Sequence, residues 1–285
     1  MSFLISILPV LAVLAGASFG ASSGLYIKGV HFSSLALTGL RMGAPFLVML
    51  PFMIRGGKFL GPPGRRRNLW IASGVNAARM LLFILAYKLT SVGNAVVLLY
   101  LWPVFALLID ALRLHRRPTR GQLSLVGLSF AGVVVMNLHR GFSMSINDLV
   151  GSLAMVLSAA GFATTVILFK EALTELKETE AIFFQNATGA IVFLPFLALE
   201  LGSVPLADLG IGLGYGLSVG VAGFFCFFYA MKRLPIFRYG ALAYTEVPIA
   251  VILAVLVLGE RIVPDQILGA AMVVIASFLA QRARG

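Results

Sequence analysis

The chain is poor in the residues from which soluble enzymes and metal proteins build their sites. It has one cysteine, Cys226, set inside an apolar run, so an intrachain disulfide is excluded and the thiol says nothing about redox compartment. Its three histidines, His31, His115 and His139, are scattered, and there is no paired Cys or His spacing that would hold a metal. No glycine loop leads into the lysine that a phosphate cradle needs, and no nucleophile and acid-base pair stands out. The expectation is therefore no enzyme, no cofactor and no metal. Charge is scarce too: only 12% of the 285 residues are charged, against 60% hydrophobic, with a mean hydropathy of +0.99. A soluble domain of this size could not bury so much apolar side chain, which leaves an integral membrane protein.

The acidic residues are the scarcer sign, 11 against 22 Lys and Arg, for a net charge of +11. In a soluble protein that excess would suggest nucleic acid. Here the basic residues are spread over several loops, with only "RRR" at 65 to 67 forming a run, and the aromatic residues lie in the apolar segments. Membrane lipid headgroups, not nucleic acid, are the partner this distribution fits.

About 20 apolar residues cross a bilayer as a helix. Ten segments approach that length: 3–27, 32–54, 69–89, 92–112, 121–138, 147–169, 181–199, 209–230, 238–258 and 265–281. None alternates as a barrel strand would, and unpaired backbone is too costly in lipid, so the expected fold is an all-α integral membrane bundle of ten transmembrane helices. The first segment, "SFLISILPVLAVLAGASFGASS", has no Lys or Arg before its apolar centre and resembles the later ones, so it reads as a membrane helix and not a cleaved signal. Sixteen Lys and Arg fall in the loops after helices 2, 4, 6 and 8 and in the C-terminal segment, against four (Lys28, Lys88, Arg140 and Arg261) on the other side. That bias predicts both termini in the cytoplasm of a multi-pass protein of the inner or plasma membrane, with the four as interface anchors.

The second half echoes the first. "AVLAGASFGASSGLYIKG" from Ala12 matches "AMVLSAAGFATTVILFKE" from Ala154, and "LRMGAPFLVMLPF" falls on "FQNATGAIVFLPF", aligning Arg41 with Gln185 and Pro51 with Pro195. Tyr87 answers Tyr229, and Pro103 answers Pro248. Agreement in order at a nearly constant offset indicates an internal repeat. Five helices per half, an odd number, makes the two halves inverted repeats, residues 1–140 and 145–285, as in many secondary transporters whose site lies near midplane.

Three stretches carry a family resemblance: "LTGLRMGAPFLVML", "AYKLTSVGNAVVLLYLWPVFALLIDALRL" and "YTEVPIAVILAVLVLGERIVPDQILGAAMVVIAS". With the early arginine of helix 2, the prolines of helices 4 and 9 and "EVPIAVILAVLVLGE" at Glu246 to Glu260, the chain resembles the EamA family of the drug/metabolite transporter superfamily over nearly its whole length. It departs at "RLHRRP", Arg113 to Pro118, where the family usually shows a Gly-Glu pair. The resemblance implies a ten-helix carrier of small organic solutes working by alternating access, most often outward. Family substrates include amino acids and their derivatives, metabolites and toxic cations.

Ionisable groups at membrane depth cost about 3 kcal/mol on insertion scales and mark functional positions. Three lie on the order of 12 to 15 Å from a membrane surface: Arg41, Arg79 and Glu246. Together they carry +1, which a substrate carboxylate would neutralise while Glu246 stays free for an ammonium group, an arrangement suited to amino acids and related carboxylate-bearing compounds. Two readings of Arg41 stand at this stage: an ion pair with Glu246 or hydrogen bonds to carbonyls freed near Pro45 that hold helices together, and a substrate contact. Glu246 could also carry protons, making proton antiport a candidate coupling. Asn76, Asn94, Tyr100, Trp102, Gln185 and Tyr244 are further candidates for the pocket, with Asn76 and Arg79 on one helix face. Pro45, Pro103 and Pro248 remove backbone donors and are candidate breaks or gates. Gly16, Gly20 and their small neighbours most simply allow close helix packing. A small-molecule carrier is the leading reading. A lipid-modifying membrane enzyme, a passive channel, or a carrier of drugs or organic cations are the alternatives, and the oligomeric state is open.

Overall fold

Backbone groups in lipid have no water to bond, so nearly every residue of the computed structural model lies in a helix, and no strand occurs among the described residues, 2–56, 61–62, 64–113, 118–138, 145–249, 252 and 263–282. Lys58, His115, Arg116, Arg117, His139, Arg140, Glu260, Arg261, Arg284 and the second half of the ninth expected span fall outside these residues. Among the described residues seven helical stretches are long and apolar enough to cross a membrane, and two shorter apolar helices, Arg120–Met136 and Pro264–Leu279, accompany them.

In chain order the helices are α1 (Ser2–Ala21), α2 (Ser23–Lys28), α3 (Ser34–Gly56), α4 (Arg66–Leu89), α5 (Val92–Leu99), α6 (Trp102–Arg113) and α7 (Arg120–Asn137). There follow α8 (Ile146–Ala172), α9 (Glu178–Glu200), α10 (Leu206–Leu217), α11 (Phe224–Arg233), α12 (Ile236–Ala243) and α13 (Pro264–Arg282). Caps are written in the sequence. The Ser91 hydroxyl accepts from the Asn94 N–H at the start of α5, and Thr119 and Gln122 form a reciprocal box at the start of α7.

Several spans are discontinuous. The first breaks at Ser22 between α1 and α2, and the fourth at Tyr100–Leu101, directly before Trp102–Pro103. In the ninth, α12 ends at Ala243, Tyr244 and Thr245 turn, and helix resumes at Glu246, so Glu246 opens a helical segment and is not mid-helix. Pro103 and Pro248 lack the N–H that would bond back into the preceding turn, which is why the chain breaks just upstream of each. Pro45 behaves differently: α3 runs through Pro45 and Pro51 unbroken, so it is not a helix break. Between α10 and α11, Ser218–Gly223 winds more widely as a π-helix, a form common at functional sites.

The helices pack in two groups, with further helix pairs beside them. In one group α8 packs along α4, α5 and α6; in the other, α1 packs along α11, the π-helical stretch and α12. The most extensive contact is that of α3 with α9, and α7 lies along α13 at the flank.

Candidate functional site

Between the two groups lies a cavity of about 110 Å³, far above the ~10–15 Å³ that one water needs. One wall comes from α4 (Arg79, Met80, Phe83), the fourth span (Leu99, Tyr100, Trp102) and Phe162 of α8. The other comes from α1 and α2 (Val13 to Ser23), Tyr215 to Phe227 of the eighth span, and Tyr239, Ala243 and Glu246 of the ninth. Arg41 enters from α3.

Arg41 is 1% exposed, and its guanidinium lies 5.1 Å from the Tyr215 ring centre and 5.4 Å from that of Phe224. It rests on the π-helical backbone: a Cβ at position 220 would fall 2.5 Å from Arg41 Nη1, so Gly220 is what lets the group sit there. Among the described residues its Nε has no hydrogen-bond partner. Arg79 is held more firmly. Its Nε donates to Asn76 Oδ1 at 2.8 Å, Asn76 Nδ2 donates to the Gln185 carbonyl at 2.8 Å, and the guanidinium lies 4.3 Å from the Phe162 ring centre, while Nη2 stays unpartnered. Glu246 fits beside α1 because residue 20 is glycine: a Cβ there would lie 2.6 Å from Glu246 Oε1. The buried Tyr100 hydroxyl is its polar neighbour.

Among the described residues neither guanidinium makes an ion pair. The reading of Arg41 as a structural partner of Glu246 is not what the structure adopts. Two cations with buried, unpartnered nitrogens project into one cavity, and such groups are costly unless an anion meets them.

Of the residues singled out from sequence, Arg41, Arg79, Glu246, Tyr100 and Trp102 line the cavity. Asn76, Gln185 and Tyr244 stand behind it: Asn76 orients Arg79, Gln185 offers its carbonyl to Asn76, and Tyr244 stacks on Tyr100 at 5.4 Å while its hydroxyl donates to the Tyr100 carbonyl at 2.9 Å. That carbonyl belongs to the broken turn before Pro103, and the Tyr244 hydroxyl satisfies it. Tyr244→Phe should therefore lower stability by about 1–3 kcal/mol through the orphaned carbonyl, read as a fall in Tm in detergent; an unchanged Tm would remove that role. Asn94 is not brought to the site: it lies in the first turn of α5, where its backbone N–H donates to the Ser91 hydroxyl and its side-chain amide to Thr90 Oγ1. Tyr215, Phe162, Phe224, Phe227 and Tyr239, which complete an aromatic lining, were not legible as such. The spacing of Gly216 and Gly220, four apart on one face of the eighth span, was the available hint of a close approach there.

A helical bundle with broken spans and a charged, aromatic-lined cavity between two packed groups is the architecture of a multi-pass membrane transporter of small molecules. The model of the EamA-like transporter family matches residues 7–138 and 149–281, and the chain belongs to that family. It is 27% identical over 271 residues to an "Uncharacterized transporter" of Archaeoglobus fulgidus, covering 95% of each chain. It is 25% identical over 287 residues to a "Probable terminal-alkyne amino-acid exporter" of Streptantibioticus cattleyicolor, covering 96% of this chain and 92% of that one. A crystal structure of a protein with 19% identity superposes with a TM-score of 0.75 over 97% of this chain and 99% of the other, a likeness of fold.

Proposed function

We propose that the protein is a secondary carrier that moves small carboxylate-bearing solutes, amino acids or their derivatives, outward across the cell membrane by alternating access. The single observation that carries the substrate class is that two guanidiniums without an ion pair among the described residues, Arg41 and Arg79, face one cavity with Glu246. A carboxylate can take both cations in forked geometry, and Glu246 then meets an ammonium. A simple organic cation would add to a site that is already positive, which disfavours the drug-cation alternative. The exporter relative supports both the outward direction and the amino-acid class.

Alternating access between two inverted five-helix repeats, 1–140 and 145–285, is supported by the packing pattern. Exchanging each span with the one five later turns the contact of α4 with α8 into that of α11 with α1, and the contact of α6 with α8 into that of α12 with α1, both of which occur. The basic bias of the loops supports cytoplasmic termini. Counterflow in proteoliposomes is the test: with amino acids inside, uptake of a labelled amino acid should be stimulated several-fold over empty vesicles, which a channel or an enzyme would not produce.

Glu246 is the candidate proton site. Glu246→Gln should abolish uptake driven by a pH gradient and weaken counterflow without abolishing it, because exchange needs no net proton movement while the substrate ammonium loses its carboxylate partner. Gradient-driven uptake equal to wild type would exclude Glu246 from coupling.

A further inference from the structure

Four lysines outside the cavity make a pattern that the carrier reading does not use. At one end of the bundle Lys28, closing α2, donates to the Thr90 carbonyl at 3.3 Å, and Lys88, in the last turn of α4, donates to the Phe32 carbonyl. At the opposite end Lys170, in the last turn of α8, donates to the Met231 and Leu234 carbonyls, and Lys232 of α11 donates to the Leu176 carbonyl at 2.9 Å. Both arrangements are reciprocal: each lysine reaches from the end of one helix to the end of the other or the turn that follows it. They are also copies. Residues 88, 32 and 90 map onto 232, 176 and 234 at one offset, and Lys28 maps onto Lys170 at nearly the same one.

Every one of these bonds crosses between the two groups that flank the cavity. Lys28 and Phe32 belong to the α1 side and Lys88 and Thr90 to the α8 side; Lys170 and Leu176 belong to the α8 side and Lys232 and Leu234 to the α1 side. Neighbouring polar contacts stay within a group, as with Thr90 Oγ1 to Asp148 at 3.0 Å and His31 Nδ1 to Asp208 at 2.9 Å. The chemistry suits a reversible tie. An ammonium on a carbonyl is a charge-assisted hydrogen bond that traps no opposite charge, and Lys28, Lys88 and Lys232 are exposed, so water can replace the carbonyl when the bond opens.

We propose that the two lysine pairs are latches, one at each mouth of the cavity, and that the cavity opens at one end only when the pair at that end releases while the other holds. The inference rests on the alternating-access reading. As sequence anchors, Lys28 and Lys88 were expected to face lipid headgroups; in the structure they tie the bundle to itself.

Labelling of a cavity thiol distinguishes the outcomes. Ala243→Cys is placed in a Cys226→Ser chain and exposed to a membrane-impermeant anionic methanethiosulfonate in spheroplasts and in inverted vesicles. Lys28→Met with Lys88→Met should raise the labelling rate about tenfold from the side of the Thr90 turn alone. Lys170→Met with Lys232→Met should do so from the other side alone, and lysine-to-arginine pairs should restore the wild-type rates. Opposite sidedness cannot come from misfolding, so the pairs control for each other. Labelling of the parent from both sides, with either lysine pair without effect or both acting on the same side, overturns the latches and leaves the carrier standing. Labelling of the parent and all variants from one side only overturns the carrier reading and the latches with it.

Discussion

Arg41→Met is expected to reduce transport by at least ~100-fold and at the same time to leave Tm unchanged or raise it. Two charge-assisted hydrogen bonds to a substrate carboxylate are worth about 3–6 kcal/mol together, enough for that loss. The stability half follows from what the guanidinium lacks. Among the described residues it has no ion pair, and its Nε is buried without a partner, so methionine removes an uncompensated charge while keeping the apolar stem. The ring contacts with Tyr215 and Phe224 oppose this by up to about 2 kcal/mol. An arginine that merely held helices together would show the reverse: lower Tm, with transport lost only in proportion to folded protein. Transport rates in proteoliposomes and Tm in detergent, measured on the same preparation, decide between them. Arg79→Met should lose transport similarly but also some stability, since Arg79 holds Asn76 and through it the Gln185 carbonyl.

The largest effect on folding is expected where α7 meets α13. A Cβ at Gly269 would fall 2.3 Å from the Gly132 carbonyl oxygen and 2.7 Å from the Met136 N–H, and one at Gly132 would fall 2.7 Å from the Gly269 carbonyl oxygen. These obstacles are backbone, which no rotamer change can move, so Gly269→Leu must push the helices apart. Overpacking typically costs about 1–3 kcal/mol, and a backbone clash belongs at or above the top of that range. The expected result is loss of monodisperse protein or a large fall in Tm. Gly127, on the same helix α7, has open space where a Cβ would lie, with nothing within 4 Å, and Gly127→Ala should be neutral or stabilising by up to about 1 kcal/mol. Equal behaviour of the two variants would show that helix propensity, not the close approach, sets stability there.

Much of the cavity's charged lining was legible because burial in lipid makes charge conspicuous. Arg41, Arg79 and Glu246 stand out at a common depth in any ten-span reading, and the spacing of Asn76 and Arg79 put them on one face, where the structure joins them at 2.8 Å. Pro103 was a fair guide to a break, whereas Pro45 was not, since α3 absorbs it without interruption. Asn94 shows the limit of depth as a criterion. It is polar and near an expected span end, yet its place is a helix start, where an N–H needs the Ser91 hydroxyl.

Length, hydropathy and the distribution of basic residues determined by themselves that this is a many-spanning helical membrane protein, and the recurrence of motifs carried the family. These are local or additive properties, readable one segment at a time. Only the tertiary structure decided that Arg41 makes no ion pair with Glu246, that rings from α8, α10, α11 and α12 complete the cavity, and that four lysines end on carbonyls across the two groups. Such contacts join residues distant in the chain, and a backbone carbonyl has no side chain to announce it. Which cation meets which acceptor is therefore set by packing, not by composition or spacing.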